Sequence, residues 1–402
     1  MIPERDTPVI LVLNAGSSSI KFALFETGLN PMPREAMWHG KVEGIGGPEP
    51  LLSDSSAADA TPLTLGAQQP YHEALDHIRA RVRARLAGRP IAAIAHRVVH
   101  GGTHYFQPTR IDAAVLADLR SYIPLAPLHQ PFALEAIEVL LRTRPDLPQV
   151  ACFDTGFHHT LPEVETMLPL PYEDWEHGLR RYGFHGLSYH YQSIALAERY
   201  GDAARGKVVV AHLGNGASLC GLQDLRSVAT TMGFSALDGL MMGTRSGSVD
   251  PGALIFLMEI RKLSLERVSH ILYHESGLLG VSGLSSDPRV LFDKEAEAPR
   301  AAAALALYVR RFVHEFGALV AALGGIDMLV FTAGIGEHSA AMRERLCAPL
   351  GYFGIALDAA ANAAAHGAAQ ISDASSKVKV VIEPTNEEWI AARHAMTVLA
   401  QG

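Results

Sequence analysis

The chain has 402 residues, of which 48% are apolar, enough for two or three domains with complete hydrophobic cores. The formal net charge is −8 at pH 7 and no basic tract stands out, which argues against nucleic acid or an anionic membrane as a partner. The three cysteines, Cys152, Cys220 and Cys347, lack C-x-x-C spacing, as expected of reduced thiols in the cytosol.

The N-terminal residues lack the pattern of a secretion signal. Glu4, Arg5 and Asp6 precede an apolar run of strand length, whereas a signal peptide has a cationic start and a longer apolar core. The uncharged stretch at residues 316–326 is about half of the ~20 residues needed to cross a bilayer. The sequence therefore predicts a soluble, cytoplasmic protein that binds no membrane.

The first half of the chain alternates strand-like and helix-like patterns. Helices are predicted at residues 132–141 and where Leu75, Ile78, Val82 and Leu86 share one face. Residues 44–70 are rich in Gly, Pro, Ser and Ala, which predicts loops and short edge strands. Strands are predicted at residues 9–13, 20–25, 91–99 and 150–153.

The same order recurs after residue 154, which predicts a second α/β half. Asp250 and Pro251 supply an N-cap and an N1 proline for one of its helices. We expect a ligand cleft between the two halves. Strands are predicted at residues 208–211, 218–222, 328–332 and 378–382, and helices at residues 254–260, 301–323 and 386–400.

Similar glycine-centred turns occur in both halves. The first lies in residues 9–21 (VILVLNAGSSSIK) and the second in residues 208–220 (VVVAHLGNGASLC). Gly16, and in the second turn Gly214 and Gly216, let the backbone approach an anion to which N–H and hydroxyl groups donate. A single turn of this kind is most often only a hairpin. Its repetition favours a duplicated nucleotide-phosphate site.

Neither turn has a Walker A or a Rossmann motif, because no G-x-x-x-x-G-K-[ST] occurs and no G-x-G-x-x-G opens a helix here. The predicted arrangement is strand, turn, strand, with Asn14 on the incoming strand and Lys21 on the outgoing one. A small amide and a cation near one turn suit phosphate and hydrated Mg²⁺. The alternative for Lys21 is a solvated strand cation.

Two arginines are candidates for binding anions. Arg97 emerges from an apolar strand shortly before Gly101 and Gly102, where it binds either an anionic ligand or a structural carboxylate. Arg245 lies in residues 242–251 (MGTRSGSVDP), where two glycines and three hydroxyls surround it. That composition suits a phosphoryl-binding loop, and an ordinary polar turn is the alternative.

Further candidates stand at strand ends and in glycine- or proline-rich loops. Asp154 follows an apolar strand, where a carboxylate either holds a metal or orients a cation, or simply starts a turn. His129, His185 and His212 lie in such loops, although a hydrogen-bonded structural histidine is the alternative for each. Residues 331–339 (FTAGIGEHS) predict a strand that runs into glycines and a helix start, which can expose backbone to a purine or ribose.

Taken together, eight segments resemble the acetate kinase family over almost the whole chain. That resemblance implies an α/β fold of two duplicated actin-like (ribonuclease H-like) domains around an ATP cleft, as in actin, sugar kinases and heat-shock chaperones. It also implies a cytoplasmic homodimer that makes acyl phosphate reversibly from a short carboxylate and Mg-ATP. The segments are LNAGSSSIK (13–21), HRVVHGG (96–102), FDTGFH (153–158), RYGFHG (181–186), HLGNG (212–216), MGTRSGSVDP (242–251), FTAGIGE (331–337) and PTNEE (384–388).

The resemblance also implies domain boundaries and residue roles. The N-terminal domain is expected at residues 1–154 with 386–402, and the C-terminal domain, with most of the nucleotide site, at residues 155–385. Asn14 and Glu387 are expected to position Mg²⁺ or Mn²⁺, and Lys21 the nucleotide phosphates. The implied catalytic set is Asp154, His185, Arg245, Arg97 and His129. The implied nucleotide set is His212, Leu213, Gly214, Asn215, Gly216, Asp287, Pro288, Arg289, Gly334, Ile335, Gly336, Glu337 and His338.

Three positions depart from the family pattern. Ala236 replaces the usual proline, Pro288 the usual phenylalanine, and His338 the usual asparagine. Loss of the proline is expected to enlarge the acyl pocket, and the other two changes are expected to affect nucleotide preference or affinity.

A carboxylate is ionised at neutral pH, so the acceptor needs no general base. We therefore predict direct in-line phosphoryl transfer to acetate, or to propionate, with positive charge around the transferring group. Arg97 is expected to bind the substrate carboxylate, and Asp154 to orient an arginine or a metal. The alternatives are a sugar kinase, an ATP-driven clamp without enzymatic activity, and a metal-dependent hydrolase suggested by the nineteen histidines.

Overall fold

The computed structural model describes residues 7–16, 18–127 and 129–401. Residues 1–6, on which the argument against a signal peptide depends, lie outside the described residues, as does Ser17 of the first glycine turn. Leu128 and Gly402 also lie outside them.

The strands of the described residues follow in chain order. They are β1 (Val9–Ala15), β2 (Ser19–Glu26), β3 (Trp38–Glu43), β4 (Leu51–Asp54), β5 (Thr61–Pro62), β6 (Ile91–Val98), β7 (Thr109–Arg110), β8 (Gln149–Phe153), β9 (Lys207–Leu213), β10 (Ala217–Gln223), β11 (Arg226–Thr230), β12 (Met328–Thr332), β13 (Ala369–Gln370) and β14 (Lys379–Ile382).

The α-helices are numbered in the same way, and short 3₁₀ helices lie between some of them. They are α1 (Pro70–Leu86), α2 (Ala113–Ser121), α3 (Gln130–Thr143), α4 (Glu163–Thr166), α5 (Tyr172–Glu176), α6 (Gly186–Tyr200), α7 (Pro251–Glu259), α8 (Leu265–His274), α9 (Gly277–Ser282), α10 (Pro288–Lys294), α11 (Pro299–Leu323), α12 (Ala333–His338), α13 (Ala340–Cys347), α14 (Ala359–Ala364) and α15 (Glu387–Leu399).

The chain divides into two compact units. The first unit comprises residues 1–157 and 386–402, and the second comprises residues 158–385. Each unit contains one sheet with helices packed on it.

The same strand arrangement occurs in both units. The sheet of the first unit has the order β5-β4-β3-β2-β1-β6-β8-β7, and that of the second has the order β11-β10-β9-β12-β14-β13. In the first, β1 pairs antiparallel with β2 and parallel with β6, which pairs parallel with β8. In the second, β9 pairs antiparallel with β10 and parallel with β12, which pairs parallel with β14. The repetition predicted from the two glycine turns therefore extends to whole sheets.

The first sheet separates an apolar face from the face that carries the candidate residues. Leu11 and Leu13 of β1 pack in one core with Ile78 and Val82 of α1. Side chains alternate along a strand, so Asn14 points to the opposite side of the sheet. The C-terminal helix α15 packs on β1, β6 and β8.

Most long elements lie where the sequence predicts them. The strand predicted at residues 328–332 is β12, and the helix predicted at 301–323 is α11, which begins at Pro299. Asp250 is the N-cap of α7, since its side chain accepts a hydrogen bond from Gly252 N. The sequence analysis did not predict α6, because buried polar residues such as Ser188 and Gln192 interrupt its apolar periodicity.

Candidate functional site

In the first unit, the glycine turn places Asn14 directly opposite Lys21. The two residues are cross-strand partners in the antiparallel pair of β1 and β2, and cross-strand partners point to the same face. Gly16 N donates a hydrogen bond of 2.8 Å to Ser19 O, which closes the turn. The amide and the cation predicted near one turn therefore lie side by side.

Arg97 lies on the next strand of the same sheet and is held by two carboxylates. Its Nε donates to Asp154 Oδ1 at 2.9 Å and its Nη2 to Asp154 Oδ2 at 2.6 Å. Its Nη1 lies 3.4 Å from Glu387 Oε2. Burial lowers the pKa of Arg97, but the charges of Asp154 and Glu387 raise it by more, so the guanidinium is permanently charged.

Asp154 comes directly after β8, the neighbour of β6, and only 2% of its surface is exposed. Asp154 N donates to Val98 O at 3.0 Å, which aligns the end of β8 with the end of β6. The parallel register pairs Arg97 with Cys152. The sheet itself therefore brings Asp154 to Arg97, although the two are far apart in sequence.

Glu387 stands in the first turn of α15, where negative charge is favoured by the helix dipole. The N-cap Asn386 accepts from Trp389 N at 3.0 Å and donates from Nδ2 to Arg34 O at 2.8 Å, which fixes the start of the helix. Burial raises the pKa of Glu387, while the charges of Arg97 and Lys21 act in the opposite direction. Lys21, Arg97 and Glu387 thus belong to one electrostatic group.

His129 lies immediately before α3. The next residue, Gln130, accepts from His100 N at 3.1 Å and donates to His100 O at 2.9 Å. His100 follows β6 by two residues, so the start of α3 is tied to the segment after Arg97. This link places His129 in the same region of the first unit as Arg97.

In the second unit, three sequence-distant segments meet at Gly216. A Cβ atom built on Gly216 would lie 3.1 Å from His185 Nε2 and 3.6 Å from Arg245 Nη1. Because glycine has no Cβ, the space between the His185 imidazole and the Arg245 guanidinium stays open. His185, Gly216 and Arg245 therefore surround one small volume.

His185 is held in an unusual conformation by a hydrogen-bonded hydroxyl. Its φ is 59°, in the left-handed region that few non-glycine residues adopt. Its Nδ1 shares a hydrogen bond of 2.8 Å with Ser218 Oγ, which is also bonded to Tyr189 Oη at 2.5 Å. Such strain combined with fixed orientation is typical of functional positions.

His212 stacks on His185 with the ring centres 4.1 Å apart and the planes at 16°. Its Nδ1 shares a hydrogen bond of 2.9 Å with Ser188 Oγ, which accepts from Thr385 Oγ1 at 2.9 Å. Sequence analysis did not single out Ser188, Ser218 or Thr385. The signals in the sequence were that Thr385 lies in the family-like segment 384–388 and that Ser218 lies in the segment of the second glycine turn, residues 208–220.

The loop that carries Arg245 folds back on itself. Met242 N donates to Arg245 O at 3.1 Å, and Arg245 Nη1 donates to Ala236 O at 3.3 Å. Burial lowers the pKa of Arg245 from its ordinary value. Ala236, which replaces the usual proline of the family, therefore contacts the guanidinium directly.

The predicted nucleotide residues converge in part. A cavity of about 450 Å³ in the second unit is lined by residues from all three predicted segments, a volume within the usual range for small-molecule sites. His212, Leu213, Gly216, Gly336 and Glu337 do not line it, whereas Gly243 and Ser286 do, and sequence analysis did not name them. The lining residues from the predicted segments are Gly214, Asn215, Asp287, Pro288, Arg289, Gly334, Ile335 and His338.

Glu337 has a structural position beside this cavity. Its Oε1 accepts from Ala333 N at 2.7 Å and from Thr385 N at 3.1 Å. Ala333, with φ of 64°, makes the sharp bend from β12 into α12. Glu337 therefore holds the glycine-containing turn that borders the cavity.

No group of three or more His, Cys, Asp or Glu in the described ranges is arranged to hold a metal ion. None of the helices described is both long and apolar enough to cross a bilayer. The three cysteines are buried and free.

A repeated α/β unit, each copy with a glycine turn between antiparallel strands, is the arrangement of the actin-like two-domain fold class. A model of the acetokinase family matches residues 9–393. The chain therefore belongs to the acetokinase family.

Relatives and solved structures agree with this assignment. The chain is 47% identical over 390 residues to an acetate kinase of Rhodopseudomonas palustris, covering 96% of this chain and 97% of the relative. It is 44% identical to an acetate kinase of Methylocella silvestris, covering 98% of each. The crystal structure of Porphyromonas gingivalis acetate kinase superposes with a TM-score of 0.87 at 37% identity, covering 98% of this chain and 100% of that one. A propionate kinase of Francisella tularensis also has a TM-score of 0.87, at 33% identity, covering 96% and 98%.

Proposed function

We propose that this protein is an acetate kinase, which transfers the γ-phosphoryl group of ATP reversibly to acetate to give acetyl phosphate and ADP. Relatives that match nearly the full length at 44–47% identity are acetate kinases, whereas the propionate kinase matches at 33%. The observation that carries the proposal is the cluster of His185, Gly216 and Arg245. It places an imidazole and a guanidinium around one point beside a backbone glycine, where a Cβ on residue 216 would lie 3.1 Å from His185 Nε2 and 3.6 Å from Arg245 Nη1.

The reaction is a direct in-line displacement. A carboxylate oxygen of acetate attacks the γ-phosphorus while the bond from that phosphorus to the β,γ-bridging oxygen breaks, and ADP leaves with the electron pair. No proton has to be moved, because acetate is already ionised. The barrier comes from bringing two anions together, so positive charge and oriented donors supply most of the catalysis.

Arg97 and Asp154 act on the acceptor side in this proposal. Asp154 fixes the Nε and Nη2 edge of Arg97 and keeps the guanidinium in one orientation, so an incoming carboxylate would bind at the Nη1 edge and share it with Glu387. That edge now lies 3.4 Å from Glu387. Asp154 is thus a positioning residue rather than a proton acceptor. His185 and Arg245 stabilise the charge of the transferring group, and Lys21 binds the nucleotide phosphates.

The donors near Asn14 fit Mg²⁺. This ion usually takes one or two protein oxygens and completes its shell with phosphates and waters. Glu387 supplies a carboxylate whose pKa is raised by burial and lowered in part by the charge of Lys21, and Asn14 supplies an amide oxygen opposite the same lysine. When bound there, Mg²⁺ neutralises phosphate charge.

Trapping the product tests the reaction class. Hydroxylamine converts acyl phosphate to hydroxamate, so the full-length protein is incubated with Mg-ATP and formate, acetate, propionate or butyrate. We expect the highest kcat/KM with acetate. Absence of hydroxamate with every acid, together with slow ATPase, would indicate the ATP-driven clamp instead.

A sugar kinase is the alternative within the same fold class. Such an enzyme needs a general base for a neutral hydroxyl, whereas the carboxylate of Asp154 is occupied by Arg97. A coupled ADP assay with glucose, glycerol and acetate separates the two functions. ADP formation that depends on a sugar and not on acetate would overturn the proposal.

Arg245→Ala tests the phosphoryl-binding role. Loss of one donor to a developing charge costs about 10²-fold to 10³-fold in turnover, with a smaller effect on ATP affinity. Arg205→Ala is the control, because Arg205 forms an exposed ion pair with Asp224 in the same unit. Near-normal turnover of Arg245→Ala would refute the assigned role.

We also propose that the protein is a cytoplasmic homodimer. Helix α7 supports this, because none of its residues is buried although its sequence, PGALIFLME, is almost wholly apolar. Ile255, Phe256 and Ile260 are 56%, 51% and 66% exposed, an arrangement typical of an interface. Sedimentation analysis should show a dimer for the natural chain and a monomer for Phe256→Asp. Val164→Asp, on exposed α4, is the control.

A further inference from the structure

The first unit contains a second cavity that the proposed reaction does not use. It has a volume of about 420 Å³, within the range of roughly 300–1,000 Å³ typical of ligand sites. Leu11 and Leu13 of β1, Val82 of α1 and Val139 of α3 are among its lining residues. No candidate site residue described in the structure lines it. Its walls are therefore the apolar face of the sheet and the ends of two helices.

Arg89 is the buried charged residue in the wall of this cavity. Only 9% of its side chain is exposed, and its Nη1 pairs with Glu26 Oε1 at 2.9 Å. Its Nη2 is buried and has no hydrogen-bond partner among the described residues. A buried donor without a partner is costly, and the acceptor that a guanidinium binds best is an oxyanion.

The charges around the cavity favour the same kind of ligand. Arg79, Arg83, Arg89 and Arg144 line it against a single acidic residue, Asp76. Three of these arginines are paired with carboxylates, Arg79 with Asp76, Arg89 with Glu26 and Arg144 with Asp146, so the uncompensated charge is that of Arg83. Arg79 pairs with Asp76 at 3.1 Å, and Arg83 forms no ion pair with a described residue.

We propose that this cavity binds a single-chain amphipathic anion, with its alkyl chain against Leu13, Val82 and Val139 and its oxyanion head at Arg89 and Arg83. Apolar walls favour the chain through burial of its methylene groups. The head is a carboxylate or a phosphate, since a guanidinium binds both.

Calorimetry on the full chain tests the site with four probes: octanoate, octyl phosphate, hexanoate and 1-octanol. Saturating acetate and ADP are present, so that the proposed reaction site is already occupied and the probes do not bind there. We expect saturable binding of both octyl anions, with the tighter one identifying the head group, and at least ~10-fold weaker binding of 1-octanol. Hexanoate lacks two of the methylenes of octanoate, and burial of each is worth about 0.8 kcal/mol. It should therefore bind about 15-fold more weakly than octanoate.

Two charge reversals on the same helix give matched variants. Arg83→Glu should weaken binding of the octyl anions about tenfold. Arg85→Glu makes the same change on α1 at an exposed residue that does not line the cavity, and should leave the affinity unchanged. The proposal is overturned by equal affinities in these two variants, by equal binding of 1-octanol and octanoate, or by no saturable binding while acetate and ADP occupy the proposed reaction site.

Discussion

Arg97 on β6 and Asp154, which directly follows the adjacent parallel strand β8, form a bidentate ion pair at 2.9 and 2.6 Å. Asp154 is buried, so it has little access to solvent protons and its oxygens are occupied by the guanidinium. This geometry predicts that the carboxylate of Asp154 positions Arg97 and does not accept a proton during the reaction.

Asp154→Asn should lower kcat about 10²-fold, because misplacement of a substrate-binding group by about 1 Å has that effect. The shape of the kcat profile between about pH 6 and about pH 8 should stay the same, since no proton passes through this residue. The profile is measured by hydroxamate formation. Asp146→Asn is the control, because Asp146 forms a similar but exposed pair with Arg144. Loss of one limb of the pH profile in Asp154→Asn would show that Asp154 is a base.

Gly216→Ala should impair turnover through steric contact. The new methyl group would lie 3.1 Å from His185 Nε2, which is closer than ordinary van der Waals contact, and it would occupy the volume assigned to the phosphoryl group. We expect kcat to fall at least ~10-fold with a smaller change in KM for ATP. Gly351→Ala is the matched control, since a Cβ there meets nothing within 4 Å. Equal kinetics for the two variants would contradict the assignment.

Ala236 should influence the choice of acid. Its carbonyl accepts from Arg245 Nη1 at 3.3 Å, so the backbone of residue 236 lies against the guanidinium, and we expect a larger side chain there to narrow the acyl pocket. Ala236→Pro and Ala236→Val should each lower kcat/KM for propionate relative to acetate about tenfold, which is the lower end of the effect expected for one methylene. The ratio is read from hydroxamate assays with both acids. If neither variant changes it, position 236 does not define the acyl pocket.

His338 should contribute to nucleotide affinity. It lines the cavity of about 450 Å³ together with Gly334 and Asp287, so His338→Ala removes an aromatic surface there. We expect KM for ATP to rise about fivefold and kcat to change less than about twofold. The exposed His366 provides the control variant His366→Ala. A change confined to kcat would place His338 at the reacting atoms instead.

Much of the architecture was predictable because its signals are local. The glycine turns and the apolar runs beside them identify β1, β2, β9 and β10, and the N-cap Asp250 with Pro251 marks the start of α7. Other elements lack a clear local signal, and for that reason they were not predicted. Helix α6 has buried serines and a buried glutamine in its core face, so its periodicity is weak.

The candidate site was predictable as a set of residues but not as a geometry. The sequence identified His185, Gly216 and Arg245 separately, through the segments that contain them, but it did not show that the three residues meet. It did not reveal that Ser218 orients His185 or that Ser188 orients His212. Ser188 lies in α6 and Ser218 in β10, where a serine has no local pattern that would mark it as the partner of a distant histidine.

The sequence by itself determined the family, the duplicated α/β pattern and the residue types available for binding phosphate and a carboxylate, because these depend on neighbours along the chain. Only the tertiary structure decided that Arg97 is held by Asp154 and Glu387, and that Arg89 has a buried, unpaired Nη2 beside an apolar cavity. Those contacts depend on strand register and helix packing. Register and packing arise from the whole buried core rather than from any single segment.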